Sequence, residues 1–184
     1  MRIIGGQLRG RKLHHIRGKN IRPTADQLRE TIYNILQFKT HGTTVLDLFA
    51  GTGSMGIEAL SRGAHSATFI DNHSFSLIRE NIETCRLAKK AKIIKWNILD
   101  NLNCIKTIQP VFDMVFIDPP YNKGMVRPAL INLHNTRAIL SNACIVVEHA
   151  ATEAVPDNLD GYEIVEQREY RKTHISFLKY KKDN

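Results

Sequence analysis

After Gly42 the chain alternates short apolar runs with amphipathic stretches, as strands exchanged for helices do. The runs at residues 44–48, 67–70, 92–96, 112–117 and 144–148 read as strands of the buried, parallel-sheet kind. Between them the spacing predicts helices over 55–62, ended by Gly63, from a Ser74 cap to about residue 86, weakly over 99–108, and over 126–140. Upstream, Leu28, Ile32, Ile35 and Leu36 recur at helical spacing, with Arg29, Glu30 and Asn34 on the other faces. Pro23 precedes Thr24, and Thr24-x-x-Gln27 resembles a capping box. The last runs differ: 162–170 and 174–180 alternate and are rich in aromatic and β-branched residues, predicting an antiparallel pair at one sheet edge. Repeated βα units followed by a hairpin predict an α/β fold, mostly parallel, with helices on both faces.

Composition narrows the class. The chain has 184 residues, 42% hydrophobic and 24% charged, which fits one folded domain rather than a disordered or low-complexity protein. Its most apolar stretches, such as 111–117, are short and interrupted by Asp113, too short for a bilayer helix of about 20 residues. The opening Met1-Arg2-Ile3-Ile4-Gly5-Gly6 turns basic too soon for a secretory leader, so a cytoplasmic location is expected. Cys85, Cys104 and Cys144 are odd in number and widely spaced, and read as reduced thiols. With the His residues also scattered, no metal site is expected.

Charge is concentrated at one end. The net formal charge is +8, and the first 40 residues carry nine basic side chains against Asp26 and Glu30, while the rest carries 17 basic and 16 acidic ones. Arg2, Arg9, Arg11, Lys12, Arg17, Lys19 and Arg22 lie among Gly5, Gly6, Gly10 and Gly18, a pattern suited to a basic β-hairpin or arm that follows phosphates. A polyanion, most readily a nucleic acid, is the expected partner. Residues 1–22 are accordingly read as a basic arm and 23–184 as one domain.

Two strand ends carry candidate chemistry. The stretch 45–56 runs from strand to helix and contains Gly51-x-Gly53-x-x-Gly56, whose glycines permit a tight turn and close approach of a ligand to backbone. Asp71, twenty residues after Gly51, can accept from ribose hydroxyls, a spacing that equally suits a nicotinamide cofactor. Asp47 argues for a different ligand: a strand-end carboxylate is awkward beside pyrophosphate but suits the ammonium group of S-adenosylmethionine. Asn97, just after the third strand, lies where an adenine would be held. The fourth strand delivers Asp118-Pro119-Pro120-Tyr121. Two prolines stiffen the turn, so that the Asp118 carboxylate and the Pro119 carbonyl can face an amine's hydrogens, with Tyr121 as an aromatic face for a base.

These residues resemble the class I S-adenosylmethionine-dependent methyltransferases, and within them the bacterial RsmD-type 16S rRNA guanine-N2 methyltransferases. The resemblance is carried by Arg2-Ile3-Ile4-Gly5-Gly6, Arg9-Gly10-Arg11-Lys12, Arg22-Pro23-Thr24, Arg29-Glu30, Asp47-Leu48-Phe49-Ala50-Gly51-Thr52-Gly53, residues 56–63 and Asp118-Pro119-Pro120-Tyr121. It implies a Rossmann-like sheet of seven strands and methylation of one guanine amine, of the guanine-966 type, in small-subunit rRNA. Its donor set is Asp47, Phe49, Ala50, Gly51, Thr52, Gly53, Asp71, Asn72, Asn97 and Ile98, with S-adenosylhomocysteine as product. The catalytic corner is Asp118, Pro119, Pro120 and Tyr121, and RNA is met by Arg2, Arg9, Arg11, Lys12, Arg17, Arg22, Thr24 and Arg29. A monomer acting on rRNA or the small subunit, without membrane or metal, is expected. Asp71 stands where many relatives carry Glu, shortening the ribose clamp by one methylene.

Three other readings use the same residues. Asp-Pro-Pro-Tyr also suits methylation of adenine N6 or cytosine N4 in DNA, although the chain has no spare segment for target recognition and a duplex would require base flipping. A basic, inactive assembly factor would keep the fold and the charge, and a nicotinamide dehydrogenase would keep the glycine loop.

Overall fold

The computed structural model describes residues 1–15, 23–36, 39–106, 109, 111–156, 158–170 and 173–181, with the side chains of residues 23–25 left aside. Arg17 and Arg22 therefore lie outside the described residues, as does the Thr24 side chain. Seven strands form one sheet in the order β3-β2-β1-β4-β5-β7-β6. The chain divides into two compact units, Met1–Lys95 and Trp96–Asn184.

In the first unit, β1 (Thr44–Leu48), β2 (Ser66–Asp71) and β3 (Ala91–Lys95) pair in parallel, with Leu48 opposite Ile70 and Asp71 opposite Lys95. Val45, Leu46, Leu48, Phe69 and Ile70 are buried, as a two-sided parallel sheet requires, each such side chain contributing about 1.5–3 kcal/mol by leaving water. Helices α1 (Pro23–Ile35), α2 (Ser54–Ser61) and α3 (Phe75–Thr84) complete it. Leu28 and Ile32 of α1 are buried as their spacing predicts, and Gly63, in the left-handed region, follows α2. The predicted Ser74 cap is corrected: its side chain makes no capping bond, and Asp71 Oδ1 instead takes the Ser74 and His73 N–H groups, each at 2.7 Å.

Residues 1–15 of the basic segment are docked. Among the described residues the segment forms a single antiparallel bridge, Arg2 to Lys12, around a 3-10 turn at Gly6–Leu8, rather than two strands. Ile3 and Leu13 are buried. Gly6 has φ +74°, and a Cβ there would run into the Ser61 carbonyl, so only glycine lets this turn sit on the end of α2.

In the second unit, β4 (Phe112–Ile117) pairs in parallel with β5 (Ile139–Ala150), which pairs antiparallel with β7 (Thr173–Tyr180), and β7 with β6 (Tyr162–Tyr170). Helix α4 (Asn103–Lys106) starts later than its pattern suggests, residues 99–102 being turn and irregular chain. Helix α5 (Val126–Thr136) also stops short of residue 140, because Arg137 turns left-handed at φ 57° and Ile139 already pairs with Phe112. The Thr136 hydroxyl donates to the Leu133 carbonyl at 2.7 Å and accepts the Ala138 N–H at 3.1 Å, closing the helix from within. No helix among the described residues is long and apolar enough to cross a membrane.

Candidate active site

The glycine loop, the candidate donor site, joins β1 to α2. Phe49, Gly51 and Gly53 all have positive φ, 58°, 57° and 76°, and the Gly53 N–H closes the turn on the Ala50 carbonyl at 2.7 Å. A Cβ at Gly56 would strike the Phe69 ring and crowd Asp47, so its absence is what allows α2 to lie against β2. At Gly51 a Cβ would meet only the Phe49 carbonyl, at 3.8 Å, leaving the loop's outer side open to a ligand.

Asp47 is buried, and its Oδ2 accepts the Gly56 N–H at 2.9 Å. Burial pushes its carboxyl up to about 7; the Gly56 N–H works against the shift and Asp71 adds to it. Asp71 is busier than its predicted role implies. Oδ2 takes the Gly51 N–H at 2.9 Å while Oδ1 takes His73 and Ser74, using three of a carboxylate's roughly four acceptor positions. Among the described residues the fourth position is unused. Asp71 thus fastens the loop and the turn that leads into α3 as well. Ala50 and Gly53 are buried, Thr52 is half-buried and Asn72 exposed.

The docked basic segment is stitched to this loop by residues that the periodicity did not single out. Asn81 of α3, fully buried, takes the His14 N–H at 2.7 Å and donates to the His14 carbonyl at 3.1 Å and the Thr52 carbonyl at 2.9 Å. Glu58 of α2, also fully buried, accepts the Ile4 N–H at 2.9 Å, the Gly5 N–H at 2.7 Å and Arg62 Nε at 2.8 Å. A polar residue on an otherwise apolar helix face was the available signal for both. Arg29, expected on an outer face toward RNA, is corrected: it is 3% exposed, bonds the Arg2 carbonyl at 2.5 Å and Asp26 at 3.0 Å, and lies 3.5 Å from Glu58. Its guanidinium ties α1 to the basic segment. Arg11 is half-buried and bonds the Thr84 carbonyl at 2.8 Å, whereas Arg2, Arg9 and Lys12 are exposed.

In the second unit, Asp118 follows β4 and is exposed, Pro119 is buried, and Pro120 and Tyr121 are exposed. The Tyr121 hydroxyl donates to Glu148 of β5 and lies 3.3 Å from the Thr173 hydroxyl. Glu148 was missed, although it is a carboxylate near the end of a mostly buried strand, as Asp47 is. Asn97 is half-buried, its Oδ1 taking the Leu99 N–H at 3.3 Å. Ile98 is buried, and its carbonyl takes an Asn132 amide hydrogen at 2.9 Å. Trp96 donates to the Asn101 carbonyl at 2.9 Å, as a packing residue would. Among the described residues no group of three or more His, Cys, Asp or Glu could hold a metal ion.

The family described as Conserved hypothetical protein 95 matches residues 1–179. Ribosomal RNA small subunit methyltransferase D of Haemophilus influenzae is 38% identical over 80% of this chain and 78% of its own length. Its Escherichia coli K12 counterpart is 35% identical over 85% and 78%. The chain belongs to the ribosomal RNA small subunit methyltransferase D family. The solved structure of yhhF from Escherichia coli is 30% identical, covers 100% of this chain and 99% of its own, and superposes with a TM-score of 0.84. For the methyltransferase D family member described here, the seven-stranded, mostly parallel sheet with an antiparallel C-terminal pair is therefore a shared architecture.

Proposed function

We propose that this protein methylates the exocyclic N2 amine of a guanine in 16S rRNA, using S-adenosylmethionine. The observation that carries the reading is a glycine loop backed by a protonatable, buried Asp47, in a chain that also holds Asp118-Pro119-Pro120-Tyr121 after a buried strand. Membership of a family whose named relatives methylate ribosomal RNA supports it.

The residues fit the donor. Asp47, buried and with no cation paired to it among the described residues, suits an ammonium, and ionises when one arrives. The open side of Gly51 admits an adenosine, and the spare acceptor of Asp71 suits a ribose hydroxyl. When bound, S-adenosylmethionine supplies an electrophilic methyl group on a sulfonium.

The acceptor is handled by the second unit. Asp118 and the Pro119 carbonyl accept the two hydrogens of the base amine, which withdraws its nitrogen lone pair from the ring and aims it. Tyr121 stacks on the base, an interaction worth about 1–3 kcal/mol. The nitrogen–carbon bond forms as the sulfur–carbon bond breaks, and the amine proton leaves to Asp118 or to water. Exposed Arg2, Arg9 and Lys12 meet the phosphates.

Labelled methyl transfer to purified small subunits, free 16S rRNA and duplex DNA, run side by side, tests the substrate. Label at one guanine N2 of rRNA is the expected result; preferential labelling of DNA would overturn the proposal.

A further inference from the structure

The acceptor loop is held from outside itself. Asn122, left-handed at φ 56°, gives its N–H to Glu153 Oε2 at 3.0 Å, and its side-chain carbonyl takes the Thr152 hydroxyl at 2.7 Å. One residue earlier, the Tyr121 hydroxyl donates to Glu148 and faces the Thr173 hydroxyl at 3.3 Å. Glu148 and Thr173 sit on neighbouring strands, β5 and β7, whose antiparallel register runs from Cys144 opposite Lys179 to Ala150 opposite Thr173. The tyrosine is thus gripped at its polar tip by two groups on a rigid sheet, while the residue remains 36% exposed.

We infer that Glu148 is a positioning residue for methyl transfer: with Thr173 it fixes the Tyr121 phenol, so that the ring offers the incoming base one pre-set stacking face. This rests on residues 118–121 being the acceptor loop. A surface tyrosine otherwise swings about two side-chain torsions, and a base that stacks on it must first arrest that motion; a ring already held has met that cost. Burial raises the Tyr121 pKa, and Glu148 raises it further, so the phenol keeps its proton and remains the donor. Burial also raises the Glu148 carboxyl, the environment of a group held against a partner rather than in water. The role needs only an acceptor oxygen at this place, which a glutamine supplies.

Four variants test this: Tyr121→Phe, Glu148→Ala, Glu148→Gln and the Tyr121→Phe/Glu148→Ala pair, assayed on purified small subunits lacking the methyl mark. Loss of one charge-assisted hydrogen bond is expected to raise the KM for subunits about tenfold in Tyr121→Phe and in Glu148→Ala, with kcat and donor affinity little changed. Glu148→Gln should restore most of the loss, and the pair should be no worse than either single change, because both remove the same contact. Additive losses in the pair would overturn the inference, since Glu148 would then act on substrate independently of the phenol. Failure of Glu148→Gln to recover would overturn it too. Asp118→Ala, run alongside, separates the two levels: full activity there removes the acceptor loop itself, whereas an inactive Asp118→Ala with additive Tyr121 and Glu148 losses removes only the positioning role.

Discussion

Asp47 is a carboxyl that the fold keeps from water, and its chemistry follows from that. Its pKa of about 7 in the native protein stands above the ordinary 3.8, so the native state holds this proton more tightly than the unfolded chain. Stability that the neutral form contributes is complete below about pH 3.8 and lost as pH rises through about 7. A bound ammonium favours the ionised form, so donor binding must expel the proton at lower pH. Calorimetry between about pH 5.5 and 7.5 should show donor affinity rising with pH, by close to tenfold per unit at the acid end and levelling off above about 7. In Asp47→Asn the affinity should be weaker and flat; a wild-type profile equally flat would refute the ammonium partner. Asp47 was legible because it lies near a strand end just ahead of the glycine loop, and Asp71 because it closes the next strand twenty residues after Gly51. Arg29 was not: charge and helical spacing place an arginine outside, and only the fold reveals Glu58 and the Arg2 carbonyl as its partners.

At the scale of elements, α2 does more than follow the loop. Its Glu58 accepts two backbone N–H groups of the basic segment and faces Arg62 and buried Arg29, so one carboxylate joins α1, α2 and residues 4–5. Removing it leaves a buried guanidinium and two N–H groups short of an acceptor. Glu58→Ala is expected to lose about 3–5 kcal/mol in urea unfolding, the range for breaking a buried pair. A loss under about 1 kcal/mol, typical of exposed pairs, would contradict this. The strands themselves were readable, because burial on both faces writes a continuous apolar run and the C-terminal pair writes an alternating one. The end of α5 was not, since no glycine or proline marks Arg137 and the apolar spacing carries on into β5.

For the whole molecule, the charge imbalance pointed to a nucleic acid, but not to the way the basic segment is built in. Isolated charge suggests a mobile arm; buried Ile3 and Leu13, and the buried partners Glu58 and Asn81, make it part of the first unit. The donor loop belongs to that unit and the Asp118 corner to the other, so the proposed roles can be separated by one substitution. The decisive measurement is Asp118→Ala, with donor affinity read by calorimetry and methyl incorporation read on small subunits in the same preparation. Near-normal affinity with incorporation reduced by about a hundredfold or more is expected, the scale of losing a group that orients and polarises the reacting amine. Unchanged incorporation would contradict the central claim, that this stiff acidic corner presents the base nitrogen to the methyl group.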